Sequence, residues 1–198
     1  MCSSDLAVVM AMGAEASPVL TSLGAHSVTG HTRFPFLYFE AERGGCRVIV
    51  SVNGRDRRHG VDSIGTDPAA INAYTLIERF TPDLVVSAGT AGGWQRCGGE
   101  IGDVYISDKR FVYHDRRIDL PDFGDYGVGS WVSTPVDSLV TAFGLKTGVV
   151  TTGNSLDESP EDRRMIEQSG ACVKDMEAAA IAYVCEVMRT PMFALKAV

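Results

Sequence analysis

Five continuous apolar runs constrain this 198-residue sequence more than any other feature: residues 6–12, 47–52, 84–88, 147–152 and 192–198. They are rich in Val, Ile and Leu and do not alternate with polar residues. Strands with both faces covered by protein have this pattern, because neither face has to meet water. Residues 36–40 and 102–108 read as further, more alternating strands, and a short strand is expected near Val173. Helical patterns lie between the runs. Thr66 or Asp67 is placed to cap a helix with Pro68 in its first turn; Ile71, Tyr74, Ile77 and Phe80 recur on one face, and Thr81-Pro82 ends it. A second helix starts at Ser159 with Pro160 in its first turn and ends near Gly170. A third, rich in Ala, covers residues 177–189 and stops before Pro191. With no repeat, low-complexity tract or linker, the expectation is one α/β domain over residues 1–198 with a central mixed sheet.

Composition removes several function classes. A net charge of −7 argues against a nucleic-acid surface, which needs clustered Lys and Arg. The one basic run, Arg55-Asp56-Arg57-Arg58, is short and broken by an acid, and reads as a solvated loop. Cys2, Cys46, Cys97, Cys172 and Cys185 are odd in number and include no CxxC pair, as expected of a reduced, cytoplasmic chain. His26, His31, His59 and His114 have no paired ligand spacing, so no zinc site is expected. No apolar run approaches a membrane span, and Met1-Cys2-Ser3-Ser4-Asp5 lacks the basic start of a signal peptide.

Ligands of open α/β sheets bind beyond the carboxyl ends of the strands. The apolar runs are followed there by Gly13-Ala14-Glu15, by Gly89-Thr90-Ala91-Gly92-Gly93 and by Gly153-Asn154-Ser155-Leu156-Asp157, and the strand near Val173 by Asp175-Met176-Glu177. Singly these are weak signals. Glu15 alone reads as a helix-start carboxylate, and the Gly-rich turn is neither GxGxxG nor a P-loop. Their expected meeting at one edge of one sheet is what points to a site.

Taken together, several stretches resemble the nucleoside phosphorylase/hydrolase family, and within it the plant-type branch of the methylthioadenosine/S-adenosylhomocysteine nucleosidases. They are Ala11-Met12-Gly13-Ala14-Glu15-Ala16, Gly60-Val61-Asp62-Ser63-Ile64-Gly65-Thr66, Pro82-Asp83-Leu84 through Gly93, and Ile101-Gly102-Asp103-Val104. They continue with Tyr113-His114-Asp115-Arg116-Arg117-Ile118, Thr152-Gly153-Asn154-Ser155-Leu156-Asp157 and Lys174-Asp175-Met176-Glu177-Ala178-Ala179-Ala180. The resemblance implies a three-layer fold with a central mixed sheet flanked by helices. It also implies hydrolysis of the N-glycosidic bond of 5′-methylthioadenosine, with S-adenosylhomocysteine a further substrate, in methionine salvage. No cofactor is implied, and the partners are a small-molecule nucleoside and a second copy of the chain.

By the same resemblance Glu15 activates water. Glu177 accepts hydrogen bonds from the ribose hydroxyls, beside Asp175, and Met176 packs on the sugar. Thr90, Ala91 and Gly92 line the ribose and water side. Leu156 lies against adenine, and the backbone of Asp157 reads its edge. Met12 and Ile64 contact the 5′-thioalkyl group, although both fit ordinary core positions equally well. The segment at Phe123 and Tyr126 is a dimer contact or a packed loop. Bacterial phosphorylases of the family carry an Arg for phosphate where this chain has Ser87, so water is the expected nucleophile.

Two departures from the family pattern stand out. Asn154 occupies a position usually taken by Asp. The strand at residues 193–198 is expected to run on into Ser/Thr-Asp, whose Asp protonates adenine N7, and then into a final helix. The sequence ends at Val198, so an incomplete member, with that helix missing, is the expectation. Losing a general acid removes about 10²–10⁴ in rate, which keeps a nucleoside-binding or storage-type relative as an alternative, alongside a phosphorylase.

Overall fold

The computed structural model describes residues 5–28 and 33–198. Cys2, His31 and the first four residues, used in the arguments above, lie outside them. Each expected strand is present: β1 (Asp5–Met10), β3 (Leu37–Arg43), β4 (Cys46–Val52), β5 (Leu84–Thr90), β7 (Val104–Tyr113), β9 (Lys146–Thr152), β10 (Ala171–Asp175) and β11 (Met192–Ala197). Three two-residue strands, β2 (His26–Ser27), β6 (Gly92–Gly93) and β8 (Trp131–Val132), were too short to leave a pattern. β7 runs past its expected end at Asp108, over a register shift between Ser107 and Phe111 that includes Lys109 at φ +62°.

The expected helices are α2 (Thr66–Phe80), α5 (Pro160–Ser169) and α6 (Ala178–Met188). Sequence reading did not delimit α1 (Gly13–Leu23), α3 (Gly124–Val128) or α4 (Asp137–Phe143). Pro18 inside α1, with Ser17, Thr21 and Ser22 around it, hides its apolar period. The expected side-chain cap of α2 is absent: Gly65 is the N-cap residue, at φ +97°, and makes no side-chain bond. α5 follows expectation, with a reciprocal Ser159–Asp162 capping box and Gly170 in the left-handed conformation at its end.

Helices cover both faces of the sheet. Alternate β1 residues enter separate cores, because side chains along a strand point to opposite faces. Ala7 and Val9 pack with Leu76 and Ile77 of α2 and with Ile181 of α6. Val8 and Met10 pack with Ala16 and Leu20 of α1 and with Val140 of α4. This three-layer arrangement explains why the central strands carry no polar face.

β4, β1, β5 and β11 are parallel neighbours. β11 meets β7 antiparallel, and β9 and β10 follow parallel to β7. β10 therefore runs opposite to β5. The sheet nevertheless curls round to meet itself: β6, one residue past β5, pairs antiparallel with β10 through Val173–Gly93 and Lys174–Gly92. The proposed single edge of carboxyl ends is thus corrected to a closure between two sets of strands.

The cysteine expectation is corrected as well. Cys97, in a short 3-10 turn at Gln95–Cys97, is disulfide-bonded to Cys172 on β10, with Cα atoms 5.5 Å apart. The bond joins positions 75 residues apart, so no local spacing announced it. Cys46 and Cys185 are free.

Candidate active site

Where β6 closes the sheet against β10, a cavity of about 590 Å³ opens. It is lined from β1 and α1 by Met12 and Glu15, from the Gly-rich turn by Thr90, Ala91 and Gly92, and from the loop before α2 by Ile64. Leu156 and the run Asp175, Met176 and Glu177 complete the expected set. Residues drawn from five separate stretches are thus brought together. Asp157 is the exception: it does not line the cavity, and its carbonyl accepts a hydrogen bond from Lys174 Nζ at 2.8 Å. Leu156 lines the cavity while 90% exposed.

Glu15 sits in the first turn of α1, where an acidic side chain interacts favourably with the helix dipole. Its Oε1 accepts from Thr90 N at 2.8 Å and from Thr90 Oγ1 at 2.5 Å. Gly89, at φ +154°, lies close beside it: a Cβ there would lie 3.1 Å from Glu15 Oε2 and press on the carboxylate. The Gly-rich turn therefore acts as a cradle for a carboxylate.

Glu177 caps the other side. Its Oε1 accepts from Gly65 N at 2.9 Å, satisfying one of the free N–H groups at the start of α2. Asn154 Oδ1 satisfies the next, accepting from Thr66 N and Thr66 Oγ1, each at 3.0 Å. The amide oxygen of Asn154 thus serves as an acceptor where the resemblance places a carboxylate. Burial first, and then the neighbouring Asp175 carboxylate, push the Glu177 pKa above its ordinary value; Lys196 and the Gly65 N–H oppose this without cancelling it.

Asp175 is not free to meet a ligand. It accepts from Thr152 Oγ1 at 2.6 Å and from Ala178 N at 3.0 Å, and its Oδ2 pairs with Lys196 Nζ at 2.8 Å. The expected ribose neighbour is therefore a helix cap and counter-ion set into the cavity wall. Lys196, only 2% exposed, also donates to Ser87 Oγ at 3.1 Å.

Ser87 by itself gives no sign of this lysine. A cation does stand at the position in question, delivered from the adjacent strand. Lys174, the other lysine lining the cavity, donates to the carbonyls of Leu156 and Asp157 and lies 3.5 Å from Glu158 Oε1. Both ammonium groups are engaged, so neither offers an open charge-assisted contact to phosphate. The available signal for both was a lysine inside an otherwise apolar strand. Asn53, Glu158 and Ile181, also lining the cavity, carried no signal in sequence, and Ser155, which lines it too, lay in a motif without a role of its own. Among the described residues, no three His, Cys, Asp or Glu side chains are grouped to hold a metal.

Residues 5–198 match the phosphorylase superfamily, and the chain belongs to it. Within that class, the chain is 39% identical over 199 residues to 5′-methylthioadenosine nucleosidase of Arabidopsis thaliana, covering 98% of this chain and 74% of that protein. It is 37% identical to the 5′-methylthioadenosine/S-adenosylhomocysteine nucleosidase of the same plant, over 98% of this chain and 78% of that one. The structure of the Arabidopsis thaliana 5′-methylthioadenosine nucleosidase in apo form superposes with a TM-score of 0.96 at 37% identity, covering 100% of this chain and 82% of that chain.

Proposed function

We propose that this protein is an N-glycosyl hydrolase that cleaves 5′-methylthioadenosine to adenine and 5-methylthioribose, within methionine salvage. The observation that carries the reading is the pairing of Glu15 and Glu177 across one cavity whose lysines are both already engaged. Glu15, fixed by Thr90, orients water toward C1′ and accepts its proton as the bond to the base breaks. Glu177 accepts from the ribose hydroxyls and stabilises the positive charge that grows on the sugar. Met176 packs on the sugar, Leu156 on the base, and Met12 and Ile64 surround the 5′-thioalkyl group. By the same resemblance, the departing base takes its proton at N7 from an Asp that in the family follows the strand corresponding to β11.

Incubation with 5′-methylthioadenosine, with and without phosphate, tests this. Adenine and free methylthioribose are expected in both samples. Methylthioribose 1-phosphate would make the protein a phosphorylase, and nucleoside binding with no adenine released would make it a binding protein.

A homodimer belongs to the same proposal. Phe123 and Tyr126 are exposed and stack edge to face at 5.9 Å, and Tyr126 borders a second cavity with Trp131 and Tyr183. The cytoplasmic reading rests on composition alone, and the Cys97–Cys172 bond counts against a strongly reducing compartment.

A further inference from the structure

Lys174 is the buried charge in the cavity wall that the reaction leaves without a task. Its side chain is 9% exposed. Its backbone pairs with Gly92 of the Gly-rich turn, on β6, while its ammonium crosses to the loop after β9. There Nζ donates to the carbonyl of Leu156 at 3.0 Å and to that of Asp157 at 2.8 Å, with Glu158 Oε1 3.5 Å away. The residues it grips lie between Asn154, tied to α2 through Thr66 and to Asp115 Oδ2 through its own N–H, and Ser159, which opens α5. Without the lysine, two consecutive carbonyls of a loop that lines the cavity would lose a charged donor.

We propose that Lys174 is a positioning residue for purine recognition, its ammonium holding the Leu156–Asp157 turn so that the cavity-lining residues Ser155, Leu156 and Glu158 are set in place for the base. This rests on the nucleosidase reading above. The physical basis is twofold. Two hydrogen bonds to a charged donor fix the turn before ligand arrives, so binding need not order it. A cation on a peptide oxygen also draws electron density from that peptide. It makes the Asp157 and Glu158 N–H groups, on the same two peptide planes, stronger donors. Lys174 Nζ bonds to the Leu156 and Asp157 carbonyls and faces Glu158, none of which has a part in bond cleavage, so it acts on affinity for the base.

The test compares the wild-type protein with Lys174→Met, Lys174→Gln and Lys174→Arg. Adenine affinity is measured by calorimetry, and KM and kcat with 5′-methylthioadenosine. Lys174→Met is expected to weaken adenine binding and raise KM by about tenfold or more, as for loss of charged hydrogen bonds, with kcat changing by less than about twofold. Lys174→Arg, which keeps charge and several donors, is expected to recover most of the loss. Should Lys174→Met fail to fold, Lys174→Gln, which still donates to one carbonyl, carries the comparison with an intermediate loss expected. Unchanged adenine affinity in the folded neutral variants, a fall in kcat at constant KM, or no recovery with Arg would overturn the proposal. A wild-type protein that neither binds adenine nor releases it would overturn the nucleosidase reading itself, which separates the two failures.

Discussion

Glu15 and Glu177 face the same cavity, but their surroundings prepare them for different work. Two donors from Thr90 aim Glu15, and its position in α1 keeps it beside the glycine turn. Replacing it with Gln keeps an oxygen for Thr90 but removes the proton acceptor. Glu15→Gln is therefore expected to lower kcat by about 10²–10⁴ while adenine affinity stays near wild type; turnover that survives would remove Glu15 from the role of base. The site of Glu177 disfavours its charge, through burial and the neighbouring Asp175. A carboxyl whose folded pKa lies above its unfolded one contributes stability below the unfolded value, and loses it as pH rises through the folded value. Glu177→Gln should consequently raise the urea midpoint at pH 7 and make little difference below about pH 4. It should also cut kcat/KM by about 10- to 100-fold through the lost ribose contact. A midpoint that falls at pH 7 would contradict the assigned strain.

Helix starts supply much of the order around the cavity. The first N–H groups of α2 go to Glu177 and Asn154, and those of α6 go to Asp175 and Thr152, so each helix is capped by the site it supports. α5 is capped instead by its own sequence. Asp162 accepts from Ser159 and also pairs with Arg117, linking the helix to the stretch after β7. Burial works against the Asp162 charge, yet the Ser159 hydroxyl, the Arg117 guanidinium and the Ser159 N–H outweigh it and hold the pKa well below the usual carboxylate range. The sign is opposite to that of Glu177: this stability is present above the unfolded value and is lost as pH falls toward the folded one. Asp162→Asn is expected to cost about 1 kcal/mol at neutral pH, with the gap to wild type closing below about pH 4. Chemical denaturation at pH 7, 5 and 3 measures it, and a pH-independent gap would point to packing alone.

At the scale of the molecule, closure of the sheet is the decisive event, and the Cys97–Cys172 bond spans it. The bond ties the turn that follows β6 to β10, the strand that leads into Glu177. Cross-linking positions 75 residues apart restricts the unfolded chain strongly. Cys172→Ser, or a reducing agent on the wild type, is expected to lower unfolding free energy by roughly 2–4 kcal/mol. If the reduced and oxidised proteins unfold at the same denaturant concentration, the cross-link is not formed in solution.

The apolar runs by themselves determined a covered sheet, because a strand without a polar face has to be buried on both sides, and β1 divides its residues between two cores accordingly. The Ser159–Gly170 helix was equally legible, since its capping box, proline and terminal glycine are all local chemistry. The motifs likewise identified Glu15, Thr90 and Glu177 as residues that belong together. Tertiary structure alone decided how they meet. β10 runs opposite to β5, and only the curl of the sheet onto β6 brings Asp175–Glu177 to the glycine turn. It also decided that Asp175 is spent on Lys196 and on α6, that Lys196 stands beside Ser87, and that Cys97 finds Cys172. Each of these is a contact between distant residues, and periodicity and capping report only what neighbours along the chain do to one another.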